Sequence, residues 1–187
     1  MGLFSNIFGS NNEPSREHWS QIIEQISKEL TVTQSVWFAI CAEDLLQNID
    51  ENANYAEGIE ARSMIRAFQL LTVSSYMKKY KFISPSNAGD FAIQLAETYC
   101  RNEVTNKDEV DDMLEYYSKY REYGSEPKDF TMSFLGDLTT NILSRESGTA
   151  LLRLSQYVPS LINKAGIATA KAFGFHKIAV EIEQELH

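Results

Sequence analysis

Cysteine, histidine, proline and glycine are all scarce in this chain, and each scarcity removes a class of protein. The two cysteines in 187 residues, Cys41 and Cys100, lie far apart with no CxxC pair. Neither a disulfide framework nor a thiolate zinc site can be assembled from them, and two small buried core residues are the expectation. His18, His176 and His187 offer no HExxH, ExxH or HxH spacing, which removes the usual histidine-based metal sites. Four prolines and nine glycines form neither a Pro-rich linker nor a glycine-rich phosphate loop.

Long apolar runs are missing too. A membrane-spanning helix needs about 18 or more consecutive apolar residues, and the best stretch, residues 31–42, is short and carries Thr31, Thr33, Gln34 and Ser35. Leu3, Phe4, Ile7 and Phe8 make too brief an apolar segment, without a basic start, for a secretion signal. Residues 1–13 read instead as a flexible tail with a short apolar hook. Membrane attachment through that hook is a minor alternative, because no lysines accompany it and Asn6 stands where a myristoylation signal wants Ser or Thr. A protein of the reducing cytoplasm is expected.

What the chain does have is acid. The formal net charge is −9, and it is unevenly spread. Residues 13–60 hold ten acids against Arg16 and Lys28, whereas residues 147–180 carry Arg153, Lys164, Lys171 and Lys177 and no acid at all. The acidic half repels nucleic acid. Attraction between the two parts within the molecule is the simplest use of this asymmetry.

With 43% apolar residues, a chain of this length can bury roughly 70% of its unfolded surface in one core. Apolar residues recur at helical spacing throughout and never alternate as a strand requires. Trp19, Ile22, Ile23, Ile26 and Leu30 mark a helix over residues 15–30. Thr33 caps a second to about Ile49. A long central helix follows from Tyr55 to about Tyr80, ended by Lys78, Lys79 and Lys81. Ser84 and Pro85 open the next, with Phe91, Leu95 and Tyr99 on one stripe. A further helix runs from Thr105 or Asn106 to Gly124, and another, starting near Pro127, buries Phe130, Phe134, Leu135 and Leu138. From Ser147 onward the pattern stays helical but must kink or split at Pro159. Gly166, Ala170 and Gly174 at four-residue spacing allow another helix to approach closely. The expected fold is therefore all-α, a single bundle of about seven helices over residues 14–187.

The candidate chemistry is thin. Glu57 with Glu60, and Glu109 with Asp112, form two ExxE/D pairs of the kind that helical metal-dependent nucleotide pyrophosphohydrolases bring together. That is the alternative reading as a small hydrolase. The acids of residues 108–112 already have an ordinary use, since negative charge stabilises a helix start. Ser75 and Lys78 spell SxxK, without the partner motifs that would make the serine a nucleophile. Arg62 and Arg66, an i, i+4 pair of like charge, need acids or an anion against them. Salt bridges to the acidic N-terminal half are the first expectation and a phosphate site the second.

The helix of residues 105–124 stands out. Val110, Leu114 and Tyr117 form one apolar stripe, and Met113, Tyr116, Tyr120 and Tyr123 form a second beside it. A core needs only one, and tyrosine with methionine is a composition enriched at protein interfaces. Met113, Tyr116, Tyr120 and Tyr123 are accordingly the expected partner-binding residues. The function expected is that of a non-catalytic helical adaptor, inhibitor or immunity-type protein with an acidic rim suited to a basic partner. No cofactor is called for, nucleic acid is not an expected partner, and self-association is left open.

Overall fold

The computed structural model describes residues 13–48, 55–103, 107–141 and 148–184. Those residues form seven helices and no strands: α1 (Arg16–Asn48), α2 (Tyr55–Lys79), α3 (Pro85–Glu103), α4 (Lys107–Arg121), α5 (Pro127–Asn141), α6 (Gly148–Ala172) and α7 (His176–Gln184). The expected tail and its apolar hook, residues 1–12, lie outside the described residues. Among the described residues no helix is long and apolar enough to cross a membrane.

α2 is the axis of the bundle. Ala61, Met64, Ile65, Ala67, Phe68, Leu70, Leu71 and Val73 are buried on consecutive turns and on every side, as a helix enclosed by others requires. α1, α3, α4, α5 and α6 all pack on it. Its buried Gln69 is satisfied internally: Gln69 Nε2 donates to the Leu30 carbonyl at 3.1 Å, and the Tyr99 hydroxyl donates to Gln69 Oε1 at 2.8 Å. Where α6 crosses α2, Gly166 lies against the ring of Tyr76, and a Cβ at this position would sit 2.5 Å from it. The small residue is thus what the contact demands, as the four-residue spacing suggested.

Two boundaries differ from the sequence expectation. The helices expected over residues 15–30 and from Thr33 are one, the 33-residue α1. The cause is local. Thr31 turns its hydroxyl back to the Ser27 carbonyl at 3.0 Å, so it serves the helix interior, and no glycine or proline interrupts the run. Trp19, Ile22, Ile23, Ile26 and Leu30 are buried along it as their spacing implied. At the other end of the chain, α6 is not split at Pro159 but runs on to Ala172. That proline lies on the exposed side, where the carbonyl deprived of its usual donor can turn to solvent. The break comes instead at Gly174, with φ of 79°. The Phe175 amide donates to the Ala170 carbonyl at 2.8 Å and the Gly174 amide to Lys171 at 3.0 Å, closing the helix with a left-handed cap.

α2 ends in the same way although no glycine is available. Lys81 takes φ of 54°, and the Phe82 amide donates to the Met77 carbonyl at 3.1 Å. Both caps therefore deliver a phenylalanine immediately after the left-handed residue. Phe82 and Phe175 stack on each other with ring centroids 4.9 Å apart. Phe173 lies 5.1 Å from Phe82 and 5.5 Å from Phe91, which meets Trp19 edge-on at 5.5 Å. Each such pair adds about 0.5–1.5 kcal/mol beyond the area it buries. This aromatic run ties the starts of α1 and α3 to the ends of α2 and α6.

Candidate functional site

The polar chemistry of the described residues gathers at the other end of α2, along its seam with α4. Glu109 opens the inward stripe of α4, followed at helical spacing by Met113, Tyr116 and Tyr120. Its carboxylate is 6% exposed, a costly position for a charge unless it is paired. The partners are the two arginines of α2: Arg66 Nη1 stands 3.2 Å and Arg62 Nε 3.6 Å from Glu109 Oε1. The acid required by the Arg62 and Arg66 pair comes from α4, not from the N-terminal half. The Ser63 hydroxyl donates to the Glu109 carbonyl at 3.3 Å, which fixes the first turn of α4 on α2. The Arg66 guanidinium also lies 6.0 Å from the centre of the Tyr99 ring.

Around this ion cluster the side chains are tightly interdependent. Cys100, the expected core cysteine, is buried with its thiol 3.6 Å from the Met113 sulfur. Burial pushes that thiol above its usual range, Glu109 adds to the rise and Arg66 opposes it. The side chain of Cys41 lies outside the described residues. One turn further along α4, the Tyr116 hydroxyl donates to Glu60 Oε1 at 2.5 Å. Burial first, then that hydrogen bond, holds the Tyr116 phenol well above the ordinary range, with Glu60, Asp137 and Asp112 adding their negative charge. Tyr120 is completely buried and faces Asp137 of α5. Burial again leads, and the Asp137 carboxylate supplements it, in raising this second phenol. The two rings stack at 5.8 Å, and Lys119 Nζ closes the α4–α5 side by pairing with Asp137 Oδ1 at 2.7 Å.

These contacts decide where the expected site residues stand. Met113 and Tyr120 are fully buried, Tyr116 is half-buried, and of the four expected contact residues Tyr123 alone projects, 58% exposed. Both stripes of α4 pack against the core in part, and Leu114 and Tyr123 are the members left exposed. The stripe with tyrosine and methionine faces the core, while Leu114 of the other is 44% exposed and Val110 and Tyr117 are half-buried beside it. Glu109 is the reason, because its carboxylate must reach the α2 arginines and it carries Met113, Tyr116 and Tyr120 inward with it. The signal was present in the sequence: two arginines one turn apart among apolar residues of a central helix call for an acid embedded in a facing apolar stripe.

The alternative metal reading fares unevenly. α2 and α4 do meet along one seam, so the fold brings Glu60 and Glu109 to the same interface despite the helix between them in sequence. Glu109 Oε1 is instead within ion-pair distance of both guanidinium groups, and Glu60 accepts from Tyr116. Among the described residues no group of three or more metal-ligating side chains is arranged to hold an ion; the side chain of Glu57 lies outside them. Arg62 and Arg66 likewise serve Glu109, which takes the place of the anion that their spacing invited.

On the outer side of α4, Asp111, Glu115 and Glu122 are exposed in a ridge next to Leu114. Glu122 stands in the turn just beyond the end of α4 at Arg121. No protein-family model matches the sequence, and neither the curated proteins nor the solved structures contain a match to it.

Proposed function

We propose that this protein is a non-catalytic helical binding module of the adaptor, inhibitor or immunity type, and that its contact surface is the outward side of α4. The observation that carries this reading is exposed Leu114, 44% accessible, beside the exposed acids Asp111 and Glu115 of α4 and Glu122 of the turn that follows, with Lys119 and Arg121 exposed in the last turn of the helix. Tyr123, at the end of the same helix, adds an exposed aromatic of the kind enriched at interface centres. An exposed leucine bordered by acids suits a partner that offers an apolar residue among basic ones: the leucine loses water on contact, while the acids steer the approach of a basic surface and set its register.

The reactive side chains support the same reading. Glu109 is paired with Arg62 and Arg66, Glu60 accepts from Tyr116, and Asp137 is paired with Lys119, with the phenols of Tyr116 and Tyr120 pushed toward their neutral form, and this suits a scaffold that keeps α4 rigid. The test is titration of a fluorescent amphipathic peptide of leucine and lysine into the intact protein, followed by anisotropy. Saturable binding is expected, weakened about tenfold or more by Leu114→Asp and by Tyr123→Ser with unchanged melting temperature. Equal binding of a leucine and glutamate peptide, or indifference to both substitutions, overturns it.

A further inference from the structure

A basic surface with matching dimensions exists on the same molecule. α1 and α6 enclose a shallow groove lined by Gln25, Glu29, Val32, Lys164, Ile167 and Lys171, with Ala168 at its base. Val32 is 65% exposed there, an apolar residue left in the open beside half-buried Ile167. Lys164 and Lys171 project from the α6 wall and are exposed, and they belong to the acid-free stretch of residues 147–180. Glu29 on the opposite wall is the one acid among the lining residues. In a chain with a net charge of −9, such a basic strip is the natural counterpart of an acidic ridge.

Lys164 and Lys171 are seven residues apart on α6, about 10 Å along its axis, and Glu115 of α4 and Glu122 of the turn that follows it are likewise seven residues apart. Leu114 stands beside the ridge as Val32, Ile167 and Ala168 stand beside the lysines. We infer that the acidic ridge of α4 in one copy of the chain docks into the α1–α6 groove of a second copy, Glu115 and Glu122 meeting Lys164 and Lys171, and Leu114 seating on Val32 and Ile167. This rests on the reading of α4 as a contact surface and names its occupant. The contact joins two different surfaces, so it propagates from copy to copy unless the rotation closes a ring. It is salt-sensitive, because its charged partners stay near solvent.

Charge reversal provides the test. Sedimentation velocity of the full chain at low salt is expected to show association that grows with concentration and dissolves in high salt. Glu115→Lys/Glu122→Lys and Lys164→Glu/Lys171→Glu variants, all at exposed positions, are each expected to remain monomeric, with self-association weakened about tenfold or more. An equimolar mixture of the two is expected to associate again, since each then offers the other a complementary face. A wild-type chain that stays monomeric, variants that associate alone, or a mixture that does not recover overturns the inference. If that happens while Leu114→Asp still abolishes binding of the leucine and lysine peptide, only the second-copy occupant falls; if the peptide binding is also unaffected, the reading of α4 falls with it.

Discussion

The two ends of α2 are held by opposite chemistry. Toward its C-terminus the contacts are rings: Tyr76, Tyr80, Phe82, Phe173, Phe175, Phe91 and Trp19 touch in sequence. Toward its N-terminus they are charges and hydroxyls, with Arg62 and Arg66 on Glu109, and Glu60 beneath Tyr116. Burial of rings is favourable without regard to direction and tolerates the small rotations of a helix cap. A buried ion pair is not itself a strong source of stability, because desolvation consumes most of its attraction. What it does supply is orientation. It fixes which stripe of α4 faces α2, and so which stripe remains outside.

That contrast can be broken at either end. Glu109→Ala removes the carboxylate that faces buried Arg66 and half-buried Arg62 and is expected to cost about 3–5 kcal/mol, read as a fall in the denaturant midpoint. Replacing Glu109 and Arg66 together by leucine and methionine is expected to restore most of the loss, as apolar substitutes of similar volume often do. Phe82→Ala also costs about 3–5 kcal/mol, but no second substitution repairs it, because the loss is of packing and not of an unpaired partner. A double substitution at the charged seam as damaging as Glu109→Ala alone would mean that the ions do more than orient.

A smaller effect is expected where α6 crosses α2. Gly166→Ala sets a methyl 2.5 Å from the Tyr76 ring, an overpacking that costs about 1–3 kcal/mol in thermal or denaturant unfolding. Tyr76→Leu in the same chain should recover part of it by clearing the ring.

The smallest effect at neutral pH, and the one specific to the α2–α4–α5 contact, comes from the phenols. The Tyr116 and Tyr120 phenols are raised above the ordinary phenol value of about 10 in the folded protein. The folded state therefore binds protons more tightly than the unfolded one above that value. Their contribution is complete below pH about 10 and is lost as the pH rises from there toward the folded values. Unfolding measured against pH should steepen on the alkaline side, and Tyr120→Phe should flatten that limb while leaving neutral stability nearly unchanged.

Much of this fold was legible in the sequence, and the part that was not has a common cause. The spacing of Trp19, Ile22, Ile23, Ile26 and Leu30, of Phe91, Leu95 and Tyr99, and of Phe130, Phe134, Leu135 and Leu138 identified the inward faces of α1, α3 and α5, all of which are buried. On those helices a single apolar stripe leaves no choice. α4 carries two, and apolar periodicity cannot rank them. The ranking is made by Glu109, whose charge reads along the sequence as one more acid at a helix start and acquires its meaning only from Arg62 and Arg66, 47 and 43 positions earlier. The unbroken α1 was obscured because Thr33 reads along the sequence as a capping residue, whereas the run Arg16–Asn48 holds no glycine or proline that would end it.

Hydroxyl-radical footprinting of the intact protein tests the orientation of α4 most directly, because the chain carries its own control. Met132 is 74% exposed and Met113 fully buried, while Leu114, the neighbour of Met113, is 44% exposed. Slow oxidation of Met113 and Tyr120 is expected beside rapid oxidation of Met132, Tyr123 and Leu114. Oxidation of Met113 at the rate of Met132, with Leu114 protected, would put the opposite stripe of α4 outside and contradict the account.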